Sequence, residues 1–211
     1  MDARALFVAG ASGAVGRTVV RLADARDRLL PHYRRPPDGG APPGAHVFAL
    51  ADRAKLVEAL RGASAVAQLI GTIRKRFASG DTYETSDIGT TQLLVDAARE
   101  AGTIDHVILL SSVGAGRPIG AYLRAKARAE AIVTEAGFPY TILRPSAFDG
   151  EGHRAPPGAG LLARLPGLRS FRPIEVEALA RAILHVARTR GPLGAVLEGD
   201  PLFDVVAQAA R

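Results

Sequence analysis

A junction of strand, turn and helix opens the chain and limits the folds that it can adopt. A short apolar run, Ala5–Ala9, leads into three glycines spaced three residues apart, Gly10, Gly13 and Gly16. Residues 14–26 then have the composition of a helix. A glycine after a strand permits a tight turn, the second allows close approach to the backbone, and the third allows the helix to pack closely on the strand. This order predicts the first unit of a parallel α/β sheet.

The N-terminus of this predicted helix is suited to a phosphate group. Unpaired N–H groups and the positive end of the helix dipole face whatever lies over the glycine turn. We therefore expect a dinucleotide over Gly10, Gly13 and Gly16. The alternative is an ordinary glycine-rich turn, because a glycine triplet alone has low specificity.

Apolar segments alternate with amphipathic segments along the rest of the chain. Strands are predicted at 29–33, 46–50, 65–70, 106–110, 140–143 and 195–198, and helices at 53–61, 82–100, 120–136 and 174–189. Residues 149–173 are predicted to be irregular, with one short helix near 161–165, and a short helix is expected after Pro201. The pattern predicts one doubly wound Rossmann-type sheet with helices on both faces. Residues 1–211 then form a single domain, with a small substrate-side region at about 145–211.

Residues at the carboxyl ends of the predicted strands are the candidates for a binding site, because ligands of such sheets bind at that edge. Arg34 and Arg35 follow the second strand, where NAD-selective proteins carry a carboxylate. Arginine there suits the 2′-phosphate of NADP, so we expect NADP(H) in preference to NAD(H). The alternative is a pair of solvated turn arginines. The fourth and fifth strands contribute Ile70, Gly71 and Thr72, and then Ser111 and Ser112.

Tyr122 and Lys126 are candidates for acid–base chemistry. They lie four residues apart on a predicted helix, and therefore on one face of it. A phenol with a pKa of about 10 is a weak acid, but a nearby ammonium favours the phenolate. Tyr122 could then exchange a proton with a carbonyl oxygen held by Ser111 or Ser112, while Lys126 could also reach a ribose. The alternative is a surface pair, since this spacing alone is common.

Together these motifs resemble the atypical short-chain dehydrogenases/reductases, in the NAD(P)-binding group of NmrA-like and Tat-interacting reductase proteins. The resemblance covers nearly the whole chain. It rests on residues 10–16, 70–72, 109–112, 122–126 and 143–145, and residues 72–75 and 86–87 are similar to the Tat-interacting branch.

The resemblance implies a reductase with Ser112, Tyr122 and Lys126 as its catalytic residues, Lys126 also contacting the ribose. The implied cofactor contacts are Gly10, Ser12, Gly13, Ala14, Val15, Arg34, Arg35, Ile70, Gly71, Thr72, Ser111 and Pro145, with residues 145–148 beside the nicotinamide. One departure is Ala49, which stands where the family often has an acidic residue near the adenine. We expect a reductase that acts on a small carbonyl-like substrate. Alternatively, the protein is a non-catalytic NADP(H) sensor. A sugar-nucleotide epimerase is a third interpretation, disfavoured by the short C-terminal region.

Composition excludes several other classes of site and partner. The net charge is +6, but the arginines are scattered, so we expect no nucleic-acid partner. The chain has no cysteine and its five histidines lack ligand spacing, so no metal is expected. No apolar run reaches about 18 residues and no leader precedes the first strand, so we expect a cytoplasmic protein with no membrane contact. A monomer and a homodimer through the helices at 82–100 and 120–136 are both expected forms.

Overall fold

The computed structural model describes residues 4–72, 80, 82–149 and 169–211. Its strands are β1 (Ala5–Ala9), β2 (Arg28–Tyr33), β3 (His46–Val47), β4 (Ala65–Gln68), β5 (His106–Leu110), β6 (Tyr140–Arg144), β7 (Phe148–Asp149), β8 (Ile174–Glu175) and β9 (Ala195–Glu198). Its α-helices are α1 (Ala14–Leu22), α2 (Arg53–Arg61), α3 (Thr90–Ala101), α4 (Gly120–Glu135), α5 (Val176–Thr189) and α6 (Asp200–Ala209). A π-helix, Glu84–Gly89, leads directly into α3.

Within these residues, seven parallel strands form one sheet in the order β3-β2-β1-β4-β5-β6-β9. The chain moves outward from β1 to β3 and then returns to β4 on the other side of β1. The strand order therefore reverses between β1 and β4, which opens a crevice at their carboxyl ends. The short strands β7 and β8 pair with each other outside this sheet.

Helices cover both faces of the sheet, as β1 shows most simply. Leu6 and Val8 belong to a core built with α1, α5 and α6. Phe7 and Ala9 point to the opposite face and belong to a core built with α2, α3 and α4. Alternate side chains of one strand thus enter two separate cores, as expected for a parallel sheet buried on both sides. The predicted doubly wound Rossmann-type fold is confirmed.

One helix and one strand are shorter than predicted, because polar side chains near their ends form hydrogen bonds with the backbone. The first helix ends at Leu22 and does not reach residue 26. Asp24 Oδ1 accepts a hydrogen bond from the Arg26 amide at 2.8 Å, and Asp27 Oδ2 accepts one from the Asp24 amide at 3.0 Å. Such local bonds offer the backbone an alternative to the helix. Strand β4 similarly ends at Gln68, whose Oε1 accepts from the Ile70 amide at 3.0 Å.

The prediction of a regular helix at 82–100 is wrong for its first turns, which form the π-helix. The wider turn buries two successive residues, Ser86 and Asp87. Strand β3 has only two of the five predicted residues, and the helix predicted from 174 begins at Val176 because Ile174 and Glu175 pair with β7. The helix predicted near 161–165 lies outside the described residues, as does most of the loop 73–81.

Candidate functional site

The glycine turn has the close contacts that its spacing predicts. Gly10 adopts a φ of +95°, and a Cβ there would lie 3.0 Å from the amide nitrogen of Ile70. A Cβ at Gly16 would lie 2.1 Å from the carbonyl oxygen of Gly10, so helix and turn pack backbone to backbone. Gly13 is the N-cap of α1, and as a glycine it has no side chain to cap the helix. The first N–H groups of α1 therefore remain available to an anion.

A cleft of about 400 Å³ lies over this turn, at the carboxyl ends of β1, β2 and β4. Pockets for small molecules and cofactors measure roughly 300–1,000 Å³. The cleft is lined by Gly10, Ser12, Gly13, His32, Arg34, Leu50, Leu69, Ile70, Gly71, Thr72, Gly80, Thr85, Ser86 and Thr90. Seven of these residues, from Gly10 to Thr72, were predicted as cofactor contacts. Bare backbone at one end and an arginine at the other fit the phosphates of a dinucleotide.

The remaining predicted cofactor residues differ in their positions. Val15 is buried in the core beneath α1, and Ala14 is the first residue of that helix. Arg35 is exposed beyond Arg34 and does not line the cleft. After β3, the cleft is lined by Leu50. Leu50 follows Ala49, which stands where the family often has an acidic residue, so this part of the cleft is apolar.

His32 lines the cleft and was not singled out from the sequence. Its ring is buried, and its Nε2 lies 2.8 Å from the carbonyl oxygen of Phe48, to which it donates. Burial lowers the pKa of His32, so the ring is neutral at pH 7. The available signal was its position on β2, two residues before Arg34 and hence on the same side of the strand.

Lys126 on α4 is buried and forms an ion pair with Asp87 of the π-helix. Its Nζ lies 2.8 Å from Asp87 Oδ1 and donates to the carbonyl oxygen of Leu110 at 3.2 Å. The amide of Thr72 donates to Asp87 Oδ2 at 3.3 Å. A Cβ at Gly71 would lie only 3.1 Å from Lys126 Nζ, so the ion pair directly adjoins the cleft. The sequence indicates Asp87 only through the family resemblance, which implies no role for it.

Tyr122 lies beside this ion pair, as its spacing from Lys126 predicts. Lys126 Nζ is 5.9 Å from the centroid of the half-buried Tyr122 ring, within the range of a cation–π contact. The Tyr83 ring packs against Tyr122 with centroids 5.6 Å apart and planes at 57°. Tyr122 therefore has both an ammonium and a second phenol beside its ring.

The two serines after β5 have different surroundings. Ser111 is buried, and its hydroxyl donates to the carboxylate of Glu130 on α4. Arg144 Nε donates to the same carboxylate at 2.9 Å, which raises the pKa of Arg144. Ser112 is half-buried, and its hydroxyl makes only a long contact, 3.4 Å, to the carbonyl oxygen of Val113. Ser112 is therefore the serine that can more readily turn to a substrate.

Pro145 is buried immediately after β6 and joins two loops at this edge of the sheet. Its carbonyl oxygen accepts a hydrogen bond from the amide of Val113 at 2.9 Å. Pro145 thus fixes the loop that carries Ser112.

A family model described as NAD(P)H-binding matches residues 10–190, a range that includes the glycine turn, the cleft and Tyr122. The chain belongs to the NAD(P)H-binding family. The turn and the cleft agree with this family, because both offer bare backbone of the kind that accepts a dinucleotide phosphate. The NAD(P)-binding family that the resemblance implies is confirmed.

Three comparisons place the NAD(P)H-binding chain among known proteins. The protein FMP52, mitochondrial, of Debaryomyces hansenii is 27% identical over 198 residues, which cover 86% of each chain. The structure of MoeE5 in complex with UDP-glucose and NAD has a TM-score of 0.70 at 22% identity, covering 97% of this chain and 81% of MoeE5. A short-chain dehydrogenase/reductase superfamily protein from Agrobacterium tumefaciens with bound NAD has a TM-score of 0.66 at 17% identity, with coverage of 97% and 81%. The two structural likenesses concern the fold.

The cytoplasmic location predicted from the sequence is wrong, because the FMP52 relative of this NAD(P)H-binding protein is named as mitochondrial. A cellular address is recognised by a receptor and does not follow from the lack of a long apolar run. Among the described residues, no helix is both long enough and apolar enough to cross a bilayer.

Proposed function

We propose that the protein is an NADPH-dependent reductase of a small carbonyl-like substrate. The observation that carries this proposal is that Lys126 lies against the cleft and beside the ring of Tyr122. Gly71 connects the two regions, because it lines the cleft and lies against the Lys126 ammonium. Carbonyl reduction requires a proton donor near the cofactor pocket, and Lys126 links the two here.

Each polar residue of this edge has a distinct role in the proposal. NADPH, when bound, supplies the hydride that the carbonyl carbon receives. Tyr122 donates a proton to the carbonyl oxygen, and Lys126 stabilises the phenolate that remains. Ser112 holds the same oxygen by a hydrogen bond, since the hydroxyl of Ser111 is engaged with Glu130.

The preference for NADPH over NADH rests on Arg34. This arginine is exposed and lines the cleft just after β2, where selectivity for the ribose 2′ position is set. Residues 31–35 contain no carboxylate that would accept a 2′-hydroxyl. A guanidinium instead matches the 2′-phosphate in charge and geometry. The related folds of MoeE5 and the Agrobacterium tumefaciens protein hold NAD, so cofactor preference is a separate part of the proposal.

Replacement of Tyr122 by phenylalanine tests the proposed reaction. With NADPH and a panel of aldehydes, ketones and quinones, Tyr122→Phe should lower kcat by about a hundredfold or more, because general acid catalysis is lost. NADPH affinity, measured by cofactor fluorescence, should change less than about twofold, because the substitution leaves the glycine turn and Arg34 in place. Tyr140→Phe, at the opposite end of the sheet, is the matched control. Normal turnover by Tyr122→Phe would contradict the mechanism.

A second candidate function is a non-catalytic protein that binds NADP(H) and reports its binding to a partner. The observation that favours it is the ion pair of Lys126 with Asp87, which already engages the ammonium that the reaction would use. This function predicts that NADPH binds but no carbonyl of the panel is reduced. It also predicts a partner whose recovery depends on NADP(H), and equal recovery without the cofactor would contradict it.

A further inference from the structure

The ammonium of Lys126 is already engaged on two sides in this structure. An ammonium has three N–H groups and no acceptor. One N–H donates to the carbonyl oxygen of Leu110, and Asp87 occupies a second side at 2.8 Å. One direction then remains for a further acceptor. Lys126 can therefore offer one hydrogen bond to a cofactor, from an orientation that Leu110 and Asp87 determine.

Asp87 in turn depends on Lys126 for its charge compensation. Only about 1% of Asp87 is exposed, and Oδ2 accepts from the amide of Thr72. The other carboxylate oxygen, Oδ1, has the Lys126 ammonium as its charged neighbour at 2.8 Å. A buried charge without a partner is costly, so each member of the pair holds the other in place.

Other charged or titratable groups around Lys126 do not replace Asp87 in this role. Tyr122 lies on the same helix and Tyr83 on the turn before the π-helix, and both are phenols. Glu130, one turn further along α4, is engaged with Ser111 and Arg144. The carboxylate that faces the Lys126 ammonium in the described structure is Asp87.

We propose that Asp87 is a positioning residue for Lys126, which it holds so that the remaining N–H serves the ribose of NADPH beside Gly71. This inference rests on the proposed function for the role of Lys126 in reduction. It assigns to the π-helix a part in cofactor binding that the glycine turn does not perform. Asp87 acts through Lys126, and so its effect must disappear when Lys126 is absent.

A double-mutant cycle on NADPH affinity tests this dependence. The four proteins are the wild type, Asp87→Asn, Lys126→Met and the double variant, each titrated with NADPH and followed by cofactor fluorescence. Asp87→Asn should weaken NADPH about tenfold, the size of one hydrogen bond involving a charged group. The double variant should bind no more weakly than Lys126→Met alone, because the two residues act as one unit.

Two results would overturn the proposal. One is an NADPH Kd for Asp87→Asn within twofold of the wild type. The other is a loss on Asp87→Asn that adds in full to the loss on Lys126→Met, since a purely structural role would persist without the lysine. If Asp87→Asn fails to fold, Asp87→Glu replaces it, because one added methylene displaces the carboxylate while keeping its charge. The same weakening is expected, and an unchanged Kd overturns the proposal.

Turnover gives a second measurement that separates this inference from the proposed function. With saturating NADPH and 9,10-phenanthrenequinone as the probe, Asp87→Asn should lower kcat while leaving KM for the quinone within twofold. If the wild type binds NADPH but reduces no carbonyl compound, the proposed function fails, and the binding cycle still decides the role of Asp87.

Discussion

Gly16 lies against the carbonyl oxygen of Gly10 so closely that a Cβ at Gly16 would come within 2.1 Å of that oxygen. The same Cβ would lie 2.8 Å from the α-carbon of Ala11. Both neighbours are backbone atoms of the turn that forms the floor of the cleft, so they cannot move aside as a flexible side chain does. Helix α1 and the glycine turn are therefore one packed unit.

Gly16→Ala should lower the free energy of unfolding by about 3 kcal/mol or more, because the methyl group forces backbone apart in a closely packed region. Urea unfolding followed by circular dichroism measures the change. Gly62→Ala is the matched control, since its Cβ would meet its nearest neighbour at an ordinary 3.5 Å. Equal stability of the two variants would show that α1 can move away from the turn.

Ser112→Ala should lower kcat for carbonyl reduction by about tenfold or more, because the substrate oxygen loses a hydrogen bond. Ser111→Ala should instead lower stability by about 1–3 kcal/mol, because the buried Glu130 loses a donor. Steady-state kinetics and thermal unfolding of both variants separate these effects. The assignment of the two serines would be reversed if Ser111→Ala lost activity and Ser112→Ala kept it.

Arg34→Ala should weaken NADPH by about tenfold or more, the loss expected for a charge-assisted contact to phosphate, and leave NADH nearly unchanged. Fluorescence titration with each cofactor measures both constants. Arg61→Ala is a control on an exposed arginine that pairs with Glu58 on α2. Equal losses for NADPH and NADH would remove Arg34 from the 2′-phosphate site.

His106 makes stability depend on pH in a predictable direction. Its ring is fully buried, and burial lowers its pKa from 6.5 to about 4, with a further contribution from Arg4. Because the unfolded chain takes up the proton first as the pH falls, the free energy of unfolding decreases between about pH 6.5 and 4, by about 3 kcal/mol.

His106→Gln keeps a donor for Thr141 Oγ1, which lies 2.9 Å from His106 Nε2, and removes the titration. Urea unfolding at several pH values should therefore give a shallower slope for this variant between pH 6.5 and 4. An identical slope in the two proteins would assign the pH dependence to other groups.

Regular elements with strong patterns were predicted closely from the sequence. The bounds of β5 (His106–Leu110) and α2 (Arg53–Arg61) agree with the prediction, because an unbroken apolar run and a helical stripe ending at Gly62 define them. The glycine turn and Arg34 were also placed at the cleft, since strand order alone brings strand ends together.

Features that depend on contacts between distant side chains were not predictable in this way. The choice between Ser111 and Ser112 required Glu130, which lies 19 positions further along the chain from Ser111. The contact of Asp87 with Lys126 depends on the π-helix, where periodicity predicts a regular helix. The sequence places His32 in a predicted strand, and its position at the cleft follows only from the fold.

The π-helix also makes the site sensitive to the length of the chain. Each residue of an α-helix advances by about 100°, so a one-residue deletion between Asp87 and α3, at Ile88 or Gly89, would tighten the turn and rotate Asp87 relative to α3. Asp87 would then leave the Lys126 ammonium although no residue of the pair had been replaced. Helical phase, rather than residue identity alone, is what an aligned relative must share with this chain to share its ion pair.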